Sequence, residues 1–325
     1  MSKRTNCFTV VIVLISTVFL QACSLFSIPG YHKIENLQPQ MEAKLGRPVF
    51  YIGEFCLNNT NDCYALHFNE RLFYYHDGKK TQIEPCVAKM VPLGDGVVYL
   101  RQKEDKIDYR TDNGLYYANQ GDCQLVSKNA SVFCGDGTHV YYFDKVKKCV
   151  FNFDGQNSEL LFEVRELEQP RYGGNYMLAN DSWIILFTYE GTYQYNKKTS
   201  ELTRPSFLED LVYDKALLYD NRLIRIGTPT NGGTIYDLTT GRENVFDLGA
   251  NFAESSIDMR CASYDDRVFV SISNITYEWK EFDYTISIDC KTDTVEVIND
   301  RFYENLLCSD EGLYGGTVYK MKRII

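Results

Sequence analysis

The chain has 325 residues and a formal charge of −10, is 14% aromatic with 25 Tyr and 19 Phe, and holds only 8 Pro. It is long enough for a large core, and it has no low-complexity tract and no Pro- or Ser-rich linker. So acidic a chain, with no basic stripe interleaved with aromatics, repels nucleic acid and anionic lipid headgroups, which excludes nucleic acid as a partner.

Residues 1–22 are expected to lie outside the fold. Lys3 and Arg4 make a basic start, and Phe8 to Leu20 is an apolar run of 13 residues broken only by Thr9, Ser16 and Thr17. That run is too short to span a bilayer comfortably and fits a signal peptide. It ends in Leu20-Gln21-Ala22-Cys23. This resembles the lipobox of bacterial lipoproteins, with an aliphatic residue at −3, a small residue at −1 and then Cys. The resemblance implies that the Cys23 thiol receives a diacylglycerol, that the peptide before it is cut, and that the chain is held at a membrane. Each buried CH₂ of an acyl chain adds about 0.8 kcal/mol, so two or three chains anchor stably. Loss of residues 1–22 leaves 32 basic against 44 acidic residues, a charge of −12. Ser24, not Asp, follows the Cys. In a Gram-negative cell this favours the outer membrane, on its periplasmic face or the surface; otherwise the outer face of the plasma membrane is expected. Residues 23–48 read as the lipidated Cys and a tether, and Tyr31–Ile34 within it has the composition of a strand that could complete the last sheet.

Residues 49–325 carry a repeated hairpin. Its clearest copy is TIYDLTTGRENVF, Thr234 to Phe246, in which two apolar-aromatic runs flank an Asp-x-x-Thr-Gly turn. Aligned copies begin their turns at His76, Asn119, Asp154, Asn196, Asp237 and Asp289, at intervals of 43, 35, 42, 41 and 52 residues. That spacing is one four-stranded sheet per repeat, the period of a β-propeller blade. The fold class is therefore all-β, a β-propeller, with seven blades expected and six plus an extra hairpin as the alternative. An Asp or Asn at the turn start accepts hydrogen bonds from backbone N–H groups further along. One turn length is expected in all six copies, with positive φ at the fifth position, where Gly241 stands in the clearest copy. After the sixth repeat come three further strands near 305–308, 312–315 and 317–324, whose last edge lacks a partner.

The residues offer little chemistry. Beyond Cys7 and Cys23, nine Cys remain, an odd number. Cys56 and Cys63 flank a hairpin tip, Leu57–Asp62, so they are the candidate disulfide. No pair of Cys has C-x-x-C spacing, and His32, His67, His76 and His139 form no metal-ligand pattern, so no metal is expected. There is no G-x-S-x-G, P-loop or dinucleotide fingerprint, and no catalytic residue is assigned. One local feature stands out: the connection Ile275 to Asp283, which lengthens the sixth repeat. Tyr277, Trp279, Phe282 and Tyr284 alternate there with Glu278, Glu281 and Asp283, an adaptable contact surface and the candidate binding face. A hairpin packed on its own sheet is the alternative. A second long connection, Gln102–Asn113, falls at the same point of the second repeat.

YDLTTGRENVF, residues 236–246, resembles the strand–turn–strand of quinoprotein-type propeller repeats; Phe246 stands where that motif often has Trp. No quinone ligand set transfers, so no cofactor is expected. The lipobox followed by a propeller is similar to the scaffold lipoprotein of the outer-membrane barrel-assembly machinery. The resemblance implies a lipid-anchored, non-enzymatic binding or scaffold protein of the cell envelope, with a protein or carbohydrate partner. The alternative is a propeller-type carbohydrate-active enzyme, against which the absence of sialidase-like Asp boxes counts.

Overall fold

A computed structural model describes residues 54–57, 62–66, 70–76, 79–101, 114–164, 176–188, 191–205, 216–227, 232–249, 257–264, 266–275, 280–303, 305–309, 312–317 and 320–324. Every regular element among them is a strand. Consecutive strands pair antiparallel into six four-stranded sheets and a seventh of three strands. The sheets run over residues 54–84, 87–127, 130–163, 176–203, 216–247, 257–299 and 305–323. The fold is thus an all-β propeller built from a repeated four-stranded meander, as the repeat spacing implies. The signal and tether residues, Cys23 and Tyr31–Ile34 all fall outside the described residues.

The burial pattern explains why these runs form strands. In a propeller each sheet has a neighbour on both faces, so its middle strands need apolar residues on both sides and lose the usual alternation. Val140–Asp144 in the third sheet and Trp183–Thr188 in the fourth are buried along their whole length. The fourth, outermost strands are instead mostly exposed, as in Glu201–Thr203. One apolar cluster fills each junction between successive sheets. Tyr64, Leu72, Val97 and Tyr99 join the first to the second, and Leu93, Phe133, Tyr142 and Phe153 the second to the third. Tyr141, Phe162, Met177, Ile184 and Tyr195 join the third to the fourth. Trp183, Phe187, Leu223 and Tyr236 follow, then Ile224, Ile235, Val270 and Ile286, then Phe269, Leu306 and Leu313. Each fully buried Leu, Ile or Phe contributes about 1.5–3 kcal/mol, so these seams hold successive sheets together.

The repeated turn is present, with a correction. Asp154, Asn196, Asp237 and Asp289 each accept two backbone N–H bonds, at 2.7–3.2 Å, from the residues two and three further on. The fifth position has positive φ in three copies, at Ser200 (57°), Gly241 (70°) and Asp293 (57°). The first three copies do not share the turn length of the last three. His76 pairs with Lys79, Asn119 with Asp122, and the Asp154 N–H donates to the Asn157 carbonyl at 3.3 Å, which leaves two-residue loops in all three. In the second copy Gln120 (φ 51°) and Gly121 (φ 90°) both lie in the left-handed region, as a tight two-residue hairpin demands. Asn119 accepts no such bonds, and its Oδ1 is buried without a hydrogen-bond partner.

Candidate functional site

A cleft of about 380 Å³ opens between the third and fourth sheets, lined by Asp136, Thr138, His139, Tyr141, Asn152, Leu161, Asp181, Tyr195 and Lys197. The loops on this rim join first to second strands and third to fourth strands. Asp136 starts the loop between Ala130–Gly135 and Val140–Asp144. Its Oδ1 accepts from the Thr138 and His139 backbone N–H groups, at 2.9 and 2.7 Å, and from the Thr138 hydroxyl at 2.9 Å. This is the turn geometry of the repeat, used at a second place in the sheet. Gly137, with φ 95°, lets the chain reverse there.

Asp136 Oδ2 faces the fourth sheet. It accepts from the Tyr141 hydroxyl at 2.7 Å and from the Lys197 ammonium at 2.5 Å. Lys197 follows Asn196 in the turn of the fourth sheet, and its Nζ also donates to the Asn180 carbonyl at 2.7 Å. The ammonium lies 5.0 Å from the centre of the Tyr141 ring. Only 1% of the Asp136 side chain is exposed, and 19% of that of Lys197. Burial pushes the Asp136 carboxyl up, but the bonds from Lys197, Tyr141 and the two backbone N–H groups outweigh it and hold the pKa well below the carboxylate range. Burial first, and then the Asp136 charge, pushes the Tyr141 hydroxyl up. Behind the cleft floor Cys134 pairs with Tyr141 across the sheet, and burial raises its thiol to about 12. It is therefore a protonated, apolar filler at neutral pH.

Asn152 completes the wall. It stands opposite Tyr141 in the register, two residues before the turn-start Asp154. Its Oδ1 is buried without a hydrogen-bond partner. Tyr195 supplies the facing ring, 5.0 Å from the Phe162 ring, and Leu161 an apolar edge. The arrangement offers one open acceptor, two phenol rings and an internally compensated ion pair.

The sequence-derived candidates lie elsewhere. Tyr277 and Trp279 are outside the described residues, and Phe282 stands opposite Asn274 in the sixth sheet. Lys280–Asp289 pairs with Arg267–Ile275, with Ser273 opposite Asp283, so the arms of the insertion continue the sixth sheet. The Ser273 hydroxyl donates to Asp283 Oδ1 at 2.8 Å. Tyr284 is half-buried and packs on the apolar seam between the fifth and sixth sheets. In the first sheet Cys63 stands opposite Leu57 and Cys56 opposite Tyr64, so the two cysteines are one register position apart. Cys123, Cys134, Cys261 and Cys290 are free thiols. Among the described residues no cluster of His, Cys, Asp or Glu could hold a metal ion. Sequence reasoning passed over Asp136, Asn152 and Lys197. The signal available was the Asp-Gly-Thr-His loop before the Tyr-rich strand, which repeats the turn chemistry two strands early.

No protein-family model matches the chain, and no curated protein matches it. Several solved structures are similar in fold. Apo AztD from Citrobacter koseri is 10% identical, with a TM-score of 0.48 over 77% of this chain and 72% of that one. Sqt1 from Saccharomyces cerevisiae is 9% identical, with a TM-score of 0.49 over 81% and 80%. The extracellular domain of a putative one-component system from B. thetaiotaomicron is 11% identical, with a TM-score of 0.50, over 82% of this chain and 39% of that one. Likeness at these identities concerns the fold alone.

Proposed function

We propose that this protein is a lipid-anchored, non-enzymatic binding or scaffold module of the bacterial cell envelope. The observation that carries the binding role is the state of the polar groups in the cleft between the third and fourth sheets. Both Asp136 oxygens are already occupied by donors and its pKa is depressed, so it is a poor proton carrier at neutral pH. The Lys197 ammonium is spent on Asp136 and on the Asn180 carbonyl. Groups committed in this way fix shape and charge for recognition, whereas an acid–base catalyst needs a carboxyl tuned upward. The anchor rests on Leu20-Gln21-Ala22-Cys23 after its apolar run. The partners that follow are the membrane, reached through acyl chains, and a protein or carbohydrate met at the envelope. The aromatic tip with Tyr277, Trp279 and Phe282 is the second surface we assign to partner contact.

The test of the anchor is direct. Cells making wild type and Cys23→Ala are labelled with an alkyne-palmitate probe and fractionated. Wild type should take up label and sediment with membranes, and the variant should do neither. Equal labelling of both would sink the anchored reading.

A further inference from the structure

The fourth sheet is sealed to the fifth by a polar device that the third sheet lacks. Two residues before its turn start, the fourth sheet carries Gln194. The Gln194 Nε2 crosses to the fifth sheet and donates to the Leu238 carbonyl at 3.0 Å. Leu238 follows Asp237 as Lys197 follows Asn196. The two are equivalent in bonding as well, since the Leu238 N–H donates to the Asn221 carbonyl and the Lys197 N–H to the Ser182 carbonyl, both at 2.9 Å. The third-sheet counterpart of Gln194 is Asn152, one methylene shorter. No crossing bond to the fourth sheet forms, its Oδ1 is left buried without a partner, and the cleft opens beside it.

We infer that this gap is a ligand subsite for an uncharged sugar ring, held by a hydroxyl donating to Asn152 Oδ1. This deepens the binding role proposed above and rests on it. A buried acceptor without a partner is unfavourable, and a ligand hydroxyl relieves that penalty on binding. The remaining walls fit the same chemistry. The phenol rings of Tyr141 and Tyr195 and the Leu161 edge offer apolar surface for C–H faces, while Thr138 and Asp181 offer further polar atoms at the rim. The Lys197 charge is neutralised by Asp136, and Asp181 leaves the cleft net negative in a chain of −10, which disfavours an anionic ligand. The volume of about 380 Å³ is at the low end of the roughly 300–1,000 Å³ of small-molecule sites, so the cleft takes one ring rather than a chain.

Calorimetric titration with glucose, galactose, mannose and N-acetylglucosamine, and with glucuronate as an anionic control, tests this. Wild type should bind at least one neutral sugar and bind it more tightly than glucuronate. Asn152→Gln lengthens the side chain so that it reaches the fourth sheet, and Asn152→Leu removes the acceptor at nearly constant size. Each should weaken the sugar at least tenfold, and a melting temperature within a few degrees of wild type shows that the variant is folded. Two variants are used so that a folding failure in one leaves the other decisive. Absence of binding by all four neutral sugars, or unchanged affinity in a folded variant, would overturn the assignment. If that happens while Cys23-dependent labelling persists, the sugar falls and the anchored binding role stands.

Discussion

The junction between the fourth and fifth sheets and that between the third and fourth use the same parts with opposite results. At the first, Gln194, Asn180 and Trp183 each donate across the seam, to the Leu238 carbonyl, the Asp220 carbonyl and Asn221 Oδ1, at 3.0, 2.7 and 2.8 Å. At the second, the crossing is carried by one ion pair, Asp136 to Lys197, and a cleft remains. Both seams have apolar clusters behind them. The difference teaches that in a repeated sheet architecture the apolar core sets the stacking, while single polar side chains decide which seam is shut and which is left open to solvent.

The largest expected effect lies at the ion pair. Asp136→Ala strands a mostly buried ammonium and strips the Tyr141 hydroxyl and two N–H groups of their acceptor. Breaking such a pair costs about 3–5 kcal/mol, to be read from urea titration. The same carboxyl should show in the pH dependence. Its folded pKa is depressed, so its contribution is complete above the unfolded carboxyl's pKa of about 3.9 and is lost as pH falls through the folded value. Wild type should therefore lose stability below about pH 4 more steeply than Asp136→Asn. Parallel acid limbs would detach the ion pair from the stability of this seam.

A smaller effect separates a copy that makes the Asx bonds from one that does not. Asp237→Ala removes two Asx-type bonds and should cost about 0.5–1.5 kcal/mol. Asn119→Ala removes no such bond and discards a buried unpartnered oxygen, so it should cost less than about 0.5 kcal/mol or stabilise. Equal losses in the two variants would mean that the turn bond is not what distinguishes them.

Much of the architecture was legible because it is periodic. The spacing of Asp154, Asn196, Asp237 and Asp289 marks successive sheets, and the Asx chemistry of those four is local, so the sequence carries it whole. The shortened loops at His76, Asn119 and Asp154 were misread because the alignment followed the first turn residue, which does not fix how many residues the loop holds. The cleft was not legible in the same way. Asp136, Asn152 and Lys197 come from three strand ends on two sheets, and nothing local distinguishes Asn152 from the apolar residues beside it. Its meaning appears only beside Gln194, after both have been placed two residues ahead of their turn starts. The aromatic insertion was found by composition, yet Tyr284 packs in the seam of its own sheet, because the insertion's strands simply prolong the hairpin.

The most direct measurement of the central claim, that the Gln194 amide bridges its seam where the shorter Asn152 does not, is a reciprocal exchange followed by urea unfolding. Gln194→Asn should lose the bond to the Leu238 carbonyl and about 1–2 kcal/mol. Asn152→Gln should lose nothing, or gain, because the longer amide can bridge to the fourth sheet as Gln194 bridges to the fifth. Comparable losses in both variants would contradict the account, since the two positions would then be sealed, or open, alike.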